Sequence, residues 1–387
     1  MSLIEQRQRR ILTTHVGSLP RPQSLSAKLF ARMTGAGFDA KALGEELEQS
    51  VKDIVRKQGE LGIDVISDGE MSKPGFAHYV KDRLTGFQGP TAARPFAPRD
   101  LLDFPEVGRR LFVSDGKELP RPPMPTNDGP ITYIGWDQLA ADLDTLSAEV
   151  KNLSVEEAFL PAVSPGCVAM LMGTTYYHSR TDFLHALADA LSEEYRSIVG
   201  RGFLLQIDCP DLALGRHLEF PDASIAEFRV AIEGHVEALN HALDGIDADR
   251  VRVHVCWGNY PGPHHHDVVL ADILEILYQV NASGLSVEGA NPRHEYEWAV
   301  FEHVPLPADK VLIPGVIDTC TNYIEHPETV AQRIERYARV VGRERVIAGT
   351  DCGFATMAGR SAVVPDIAYA RLASLAEGAH LASSRLW

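Results

Sequence analysis

Long apolar runs and clusters of basic residues are both missing from this sequence of 387 residues. The longest apolar stretches, such as Phe203–Ile207 and Val311–Val316, are far shorter than the roughly 20 residues that a membrane-spanning helix needs. Lys and Arg total 37 against 53 Asp and Glu, which gives a formal net charge of -16. A chain with this charge repels a phosphate backbone, so the sequence argues against both a membrane span and a nucleic-acid partner.

Cysteine is also scarce. The cysteines are odd in number and widely scattered, in a chain that is large enough to bury a core without cross-links. The first ten residues include Arg7 and Arg9 and lack the apolar stretch of a secretory signal. We therefore expect reduced cysteines and a cytoplasmic protein. The five cysteines are Cys167, Cys209, Cys256, Cys320 and Cys352.

The chain does contain a regular alternation of short β-branched runs and longer amphipathic segments. Each run ends in turn residues and precedes apolar residues at i, i+3 and i+4 spacing, which is typical of βα units in a parallel sheet. About eight such units favour one closed (β/α)8 barrel domain over residues 1–387. The predicted strands are 11–16, 64–67, 159–163, 203–207, 251–256, 285–288, 311–316 and 346–350, and the predicted helices are 41–61, 181–199, 224–243, 267–280, 328–341 and 364–376.

The segment Gly86–Pro130 departs from this alternation. It is rich in Pro, Arg and Asp and has little helical periodicity. We expect an excursion at about residues 86–130, inserted between the second and third barrel strands. A lid over the active site and a contact between subunits are both compatible with such a segment, so the sequence leaves a homo-oligomer open.

Residue types that bind zinc fall at the C-terminal ends of three predicted strands. His254 and Cys256 alternate along one strand and should project to the same side. Glu288 ends the next strand, and Cys352 follows the last one. Each of these residues has an ordinary structural alternative, such as a buried Cys acting as a small hydrophobic residue. Because all four meet at the rim that carries barrel active sites, we predict a tetrahedral zinc site.

These residues make a resemblance visible: the chain resembles the catalytic barrel of cobalamin-independent methionine synthase and its short relatives, including epoxyalkane:coenzyme M transferase. The resemblance covers most of the chain and implies a barrel of the methionine synthase/uroporphyrinogen decarboxylase type. It also implies a Zn²⁺ cofactor that binds and deprotonates the acceptor thiol. The motifs that carry it are His254-Val-Cys256, Val287-Glu288, Asp351-Cys352-Gly353, Thr14-His-Val-Gly-Ser18, Asp68-Gly-Glu70 and Gln206-Ile-Asp208.

The resemblance implies roles for four substrate-binding residues as well. Gly17 and Ser18 would bind the carboxylate of homocysteine, and Glu70 and Asp208 would bind its ammonium group and count among the catalytic residues. The structural alternatives are a tight turn for Gly17-Ser18 and a buried ion pair for Glu70 or Asp208.

The sequence departs from the family where the methyl donor is handled. The synthases place a proton-donating His after the seventh strand, where this chain reads Ile317-Asp-Thr-Cys320. His326 is a substitute for this catalytic role, although a His before a proline is more often structural. Of the acidic residues that contact the pterin only Asp211 is retained, and the segment Val163–Gly166 has no tryptophan.

Two further features bear on metal binding. Three consecutive histidines, His264–His266, suggest a second metal site, but adjacent histidines in a loop seldom converge unless other ligands join them. Asn259, Asn291 and His294 are better candidates for residues that orient His254 or Glu288.

Together these observations predict a zinc-dependent S-methyltransferase acting on homocysteine or a related thiol, with a folate-type methyl donor. The alternative retains the zinc-activated thiol but uses a coenzyme M-type thiol and an epoxide or another non-folate electrophile. A tetrapyrrole decarboxylase would share the barrel, but it needs arginines that clamp carboxylates rather than a His-Cys-Glu-Cys set. A zinc-storing barrel without turnover is a further alternative, against which the predicted open barrel mouth argues.

Overall fold

Eight parallel strands form one sheet that closes into a barrel. The computed structural model describes residues 9–90, 98–114, 117–118, 124–360 and 362–387. The barrel strands are β1 (Leu12–Thr13), β2 (Val65–Ser67), β3 (Glu157–Val163), β4 (Leu204–Asp208), β5 (Val251–Val255), β6 (Gly284–Val287), β7 (Val311–Ile317) and β8 (Ile347–Thr350). Neighbours pair in order from β2 to β8, and β1 pairs with β8. A single parallel bridge between Thr14 and Val65 completes the circle.

Helices surround the strands. No helix in the described ranges is both long and apolar enough to cross a membrane. The α-helices are α1 (Gln23–Met33), α2 (Ala40–Glu60), α3 (Arg99–Asp103), α4 (Pro105–Phe112), α5 (Trp136–Val150), α6 (Pro165–Leu171), α7 (Arg180–Gly200), α8 (Gly215–Leu218), α9 (Ile225–Ala242), α10 (Leu270–Leu277), α11 (Val300–His303), α12 (Pro327–Val341) and α13 (Pro365–Leu386). Short 3₁₀ helices span His78–Asp82, Pro210–Leu212, Ala248–Arg250, Glu295–Ala299 and Arg343–Arg345.

The predicted barrel is confirmed, and each predicted strand lies within a few residues of an observed one. Two helices differ from prediction at their ends. Helix α10 begins only at Leu270, because Asp267 contacts three histidines instead of entering the helix. Helix α13 continues to Leu386, because its buried face extends through Ala379 and Ala382.

The barrel interior is filled near the N-terminal ends of its strands. Six strands contribute to a separate buried cluster there, and the guanidinium of Arg252 on β5 lies 3.6 Å from the ring centre of Phe159. The members of this buried cluster are Leu12, Val65, Phe159, Leu204, Val311, Ile313 and Ile347. This packing closes one end of the barrel and leaves the C-terminal ends of the strands as the mouth.

The excursion lies between β2 and β3, as predicted. Its described part contains α3, α4 and a small antiparallel hairpin, Val113–Ser114 with Lys117–Glu118. Residues 91–97, 115–116 and 119–123 of the predicted excursion lie outside the described residues. Buried Asp100 on α3 accepts hydrogen bonds from the Tyr260 hydroxyl (2.7 Å) and the His264 backbone N–H (2.9 Å). The excursion therefore packs against the loop that follows β5.

Candidate functional site

Three thiol and imidazole side chains converge at the barrel mouth, beside a carboxylate. We call His254, Cys256, Glu288 and Cys352 the metal corner. The ligand atoms of His254, Cys256 and Cys352 all lie within 4.8 Å of one another. The two sulfur atoms are 3.2 Å apart, and Cys352 Sγ is 3.5 Å from Glu288 Oε1. The strands thus bring together three of the four predicted ligands, and the fourth, Glu288, lies beside Cys352.

The chemistry of the metal corner fits a bound zinc ion. Burial lowers the pKa of His254 to about 3, so its imidazole is neutral and can act as a ligand. Its Nδ1 atom is buried and has no hydrogen-bond partner in the described part of the chain. The Cys256 sulfur and burial together raise the pKa of the Cys352 thiol well above its ordinary value. A bound divalent cation would lower the pKa of this thiol, because it favours thiolates over thiols.

Hydrogen bonds from neighbouring residues hold Glu288 in place. Its Oε1 atom accepts from the Trp257 backbone N–H and its Oε2 atom from the Asn291 side chain, each at 2.8 Å. Asn291 Nδ2 also lies 3.0 Å from Asp351, whose carboxylate accepts the backbone N–H groups of residues 289, 290 and 291. Burial raises the pKa of Asp351 to about 7 and also raises that of Glu288.

Of the three residues expected to orient the ligands, only Asn291 contacts one in the described structure. Asn259 instead donates to the Gly353 carbonyl (2.6 Å) and accepts from Cys320 (3.1 Å). His294 bonds to Asp267 and Glu297. Its ring centre lies 4.4 Å from that of Trp257, whose backbone N–H donates to Glu288. The contact between His294 and the metal corner is therefore indirect.

A second group of residues lies beside the metal corner at the barrel mouth. We call Gly17, Ser18, Glu70, Gln206 and Asp208 the acidic corner. Gly17 has a φ of +147°, and a Cβ there would lie 2.5 Å from Glu70 Oε1, so only glycine leaves room for that carboxylate. Gln206 donates to Asp208 at 2.8 Å. Asp208 on β4 is the direct register partner of His254 on β5, which makes the two corners adjacent.

Several buried polar atoms of the acidic corner have no partner. They are Ser18 Oγ, Glu70 Oε2 and Gln206 Oε1, counted over the described residues. Burial and then the nearby Glu70 carboxylate raise the pKa of Asp208 well above its ordinary value. Glu70 itself has a φ of 55°, which is an uncommon conformation for a residue with a side chain. Unsatisfied buried polar groups are rare, so these atoms are candidates for hydrogen bonds to a polar ligand.

Two residues considered in the sequence analysis have structural roles. His326 is exposed and accepts the Glu328 backbone N–H at 3.1 Å, which caps α12. Its catalytic role remains a prediction that this position does not support. Asp211 is buried and accepts hydrogen bonds from the Ser164 hydroxyl (2.6 Å) and the His235 ring (2.9 Å).

The sequence analysis missed a buried network beside the metal corner. Asp267 lies 3.0 Å from His264, 3.0 Å from His294 and 3.2 Å from His217. Although burial opposes it, the Asp267 carboxylate raises the pKa of His264 to about 9 and that of His294 to about 10. The His264-x-x-Asp267 spacing was a signal, but His217 lies in α8 and His294 in the segment after β6, both distant in sequence from Asp267.

A family profile matches most of the chain. The profile of the cobalamin-independent synthase catalytic domain covers residues 11–93 and 139–374. The chain belongs to this family. The interval 94–138, which the family profile leaves unmatched, includes α3 and α4 of the excursion.

Relatives within this family have different names. A methionine synthase of Saccharolobus solfataricus is 25% identical over 381 residues, covering 97% of this chain and 95% of the relative. A 2-hydroxypropyl-CoM lyase of Xanthobacter autotrophicus is 26% identical over 373 residues, covering 89% of each chain.

Two solved structures share the fold. A B12-independent methionine synthase from Shewanella sp. W3-18-1, in complex with selenomethionine, has a TM-score of 0.72 at 19% identity and covers 97% of this chain and 99% of its own. A putative vitamin-B12 independent methionine synthase from Listeria monocytogenes has a TM-score of 0.64 at 19% identity, with 98% and 99% covered. At these identities the likeness establishes the barrel.

Proposed function

We propose that this protein is a zinc-dependent S-alkyltransferase that methylates homocysteine or a closely related amino-acid thiol, with a folate-type methyl donor. The observation that carries the proposal is the convergence of two sulfur atoms and an imidazole within 4.8 Å of one another, next to an acidic corner with unsatisfied polar atoms. Membership of the cobalamin-independent synthase family supports it.

Each corner has a distinct task in this proposal. His254, Cys256, Glu288 and Cys352 would hold the zinc ion. A zinc ion bound there would lower the pKa of a coordinated thiol and so supply a nucleophilic sulfur at neutral pH. Asn291 fixes the orientation of Glu288. Both carboxylate oxygens of Glu288 accept hydrogen bonds, which hold the carboxylate 3.5 Å from Cys352 Sγ.

The acidic corner favours an amino-acid thiol as acceptor. Asp208 and Glu70 form no direct ion pair with Lys or Arg in the described ranges, and Glu70 Oε2 lacks a partner. A substrate ammonium group would satisfy both carboxylates through charge-assisted hydrogen bonds. A coenzyme M-type thiol carries a sulfonate instead, which the same two carboxylates would repel. The unpartnered Ser18 hydroxyl is available to a substrate carboxylate.

One observation favours the alternative electrophile. Asp211 is the retained acidic residue that could contact a pterin, and its carboxylate is already bound by Ser164 and His235. In the loop after β7, Asp318 and Cys320 stand where the family's proton-donating His is expected. The second candidate function is therefore that of an alkyltransferase or lyase in which a zinc-activated, coenzyme M-type thiol opens an epoxide or attacks another non-folate electrophile.

Metal analysis followed by X-ray absorption tests the proposal. We expect near-stoichiometric zinc in the purified protein, and an additional sulfur ligand when homocysteine is added. Coenzyme M, at the same concentration, should leave the spectrum unchanged. A zinc-free protein with full methyl-transfer activity would refute the metal site, and a response to coenzyme M alone would favour the alternative. Product analysis with methyl-folate and with an epoxide then separates the two electrophiles.

A further inference from the structure

We propose that Asp103, His265 and His266 form a second site, on the protein surface, for a divalent first-row transition-metal ion. This site is distinct from the metal corner and shares no residue with it. It joins the excursion between β2 and β3 to the loop that follows β5.

The three side chains converge on one point. Their ligand atoms all lie within 4.8 Å of one another, which is the same limit that the three thiol and imidazole groups of the metal corner meet. The Nε2 atoms of His265 and His266 lie 3.0 Å and 2.6 Å from the same oxygen, Asp103 Oδ2. The two imidazole rings, with centres 4.2 Å apart, therefore do not fan apart as the sequence alone suggested.

Buried contacts of neighbouring residues hold the two segments that carry this site. Asp100 lies on the same short helix as Asp103, and its carboxylate is bonded to the Tyr260 hydroxyl and the His264 backbone N–H. His264 in turn bonds to Asp267 at 3.0 Å. The residues flanking the site are thus anchored in the protein interior on both segments.

The ring of His265 has a further support. Phe104 packs edge-on against it, with ring centres 5.3 Å apart. Because the ligands are held in place before any metal arrives, binding loses little conformational entropy.

The ligand set determines the class of metal. Two imidazole nitrogens and one carboxylate oxygen suit Zn²⁺, Co²⁺, Ni²⁺ or Cu²⁺ better than Mg²⁺ or Ca²⁺, which prefer oxygen ligands. The side chains of Asp103, His265 and His266 are 46%, 39% and 32% exposed, so water can complete the coordination. With no thiolate, this site should bind metal more weakly than the metal corner.

Occupancy of the second site would affect the barrel mouth. An ion there links α3 to the loop that begins directly after Cys256, and so ties the excursion to the segment beside the metal corner. The excursion, which the family profile leaves largely unmatched, then has a metal-dependent attachment.

A cobalt titration separates the two sites. Metal-free protein is titrated with Co²⁺ under reducing, oxygen-free conditions while binding is followed by calorimetry and by the thiolate-to-cobalt charge-transfer absorption. We expect two equivalents, of which only the first produces the charge-transfer band. The double variant His265→Ala/His266→Ala should lose the second equivalent and keep the band. Asp103→Asn should weaken the second equivalent by at least about tenfold, since it removes a direct ligand.

The control is His241→Ala. His241 is an exposed histidine 2.7 Å from a single carboxylate, that of Asp189, and it is not part of a three-ligand group in the described structure. This variant should bind two equivalents. One equivalent in the wild type, or two in the His265→Ala/His266→Ala variant, would overturn the second site. Absence of the charge-transfer band would contradict the metal corner instead, so the two proposals fail separately.

Discussion

The two corners of the barrel mouth differ in how far the protein itself completes them. In the metal corner, both oxygens of Glu288 accept hydrogen bonds, and Cys256 accepts one from the Gly258 backbone N–H at 3.2 Å. In the acidic corner, Ser18 Oγ, Glu70 Oε2 and Gln206 Oε1 are buried without a partner in the described part of the chain. In the metal corner the protein's own donors hold Glu288 and Cys256, and His254 Nδ1 is left without a hydrogen-bond partner among the described residues. In the acidic corner three side-chain oxygens are left without one.

In the proposed function, this difference separates the residues that recognise the substrate from those that activate its thiol. A braced ligand set keeps its geometry in the absence of substrate, which a nucleophile-activating site needs. Unsatisfied groups discriminate between ligands, because a molecule that cannot supply the missing partners leaves them buried and unpaired. The predictions below test this division of roles.

Loss of a cysteine from the metal corner should have the largest effect. Cys256→Ser and Cys352→Ser should each lose zinc, with the fold retained. Only a few per cent of a free thiol is ionised at neutral pH, so methyl transfer should fall by at least about 30-fold from that cause alone. Zinc content, turnover and the melting temperature measure these effects. Cys167→Ala, at a buried position on α6, is the control and should retain zinc. A zinc-free Cys256→Ser protein with wild-type turnover would contradict the prediction.

Neutralising the acidic corner should affect only substrates that carry an ammonium group. Asp208→Asn should raise KM for homocysteine by roughly 10- to 100-fold, because a hydrogen bond to a charged group contributes about 1.5–3 kcal/mol. The KM for 4-mercaptobutanoate, which lacks the ammonium group, should not change. Asp222→Asn is the control, since that side chain is 95% exposed. Equal losses with both thiols would mean that Asp208 does not recognise the ammonium group.

The bracing of the metal corner should be measurable without any substrate. Asn291→Ala removes the donor to Glu288 Oε2, and we expect zinc affinity to fall by roughly 10- to 100-fold, as is typical for a residue that orients a ligand. Competition with a chelator measures the change. Asn152→Ala, at an exposed helix end, is the matched control and should leave affinity unchanged. An unaltered zinc affinity in Asn291→Ala would show that the hydrogen bond from Asn291 to Glu288 is not needed for zinc binding.

The smallest expected effect is a pH dependence set by Asp208. Burial raises the pKa of Asp208 above that of an ordinary aspartate, which is about 3.9. On acidification, Asp208 is therefore protonated at a higher pH than an ordinary aspartate. Protonation removes the negative charge that attracts the ammonium group. The kcat/KM for homocysteine should therefore fall on the acid side and level off near the value of Asp208→Asn. The Asp208→Asn variant should lack this acid-side fall in kcat/KM, and the wild type should not show it with 4-mercaptobutanoate. An acid-side fall that persists in the variant and with 4-mercaptobutanoate must come from the protonation of another group.

The sequence predicted the barrel and its rim because both follow from short periodic patterns. The alternation of His254 and Cys256 and the positions of Glu288 and Cys352 after their strands were enough to predict that these side chains lie at one rim; their role as zinc ligands stays a prediction. The single-domain organisation over residues 1–387, the homo-oligomer and the cytoplasmic location stay predictions.

Contacts between distant loops were beyond this reasoning. The Asp351 carboxylate passes over β7 to reach the backbone of the loop after β6, and a Cβ on Gly315 would lie 2.0 Å from Asp351 Oδ1. Nothing in the sequence near Gly315 indicates this crossing. The burial of Asp211 by His235 and the convergence of His265 and His266 on Asp103 have the same origin, since their partners are separated by 24 residues or more.

The register between β4 and β5 has a consequence for the length of the substrate. Asp208 and His254 are direct partners on neighbouring parallel strands, which lie about 4.8 Å apart. In the proposed function, one strand presents the group that holds the amino end of the acceptor, and the next presents a group that holds the metal for its sulfur. In that function, the fixed spacing of the two strands would make the number of methylene groups between nitrogen and sulfur a determinant of which amino-acid thiols bind.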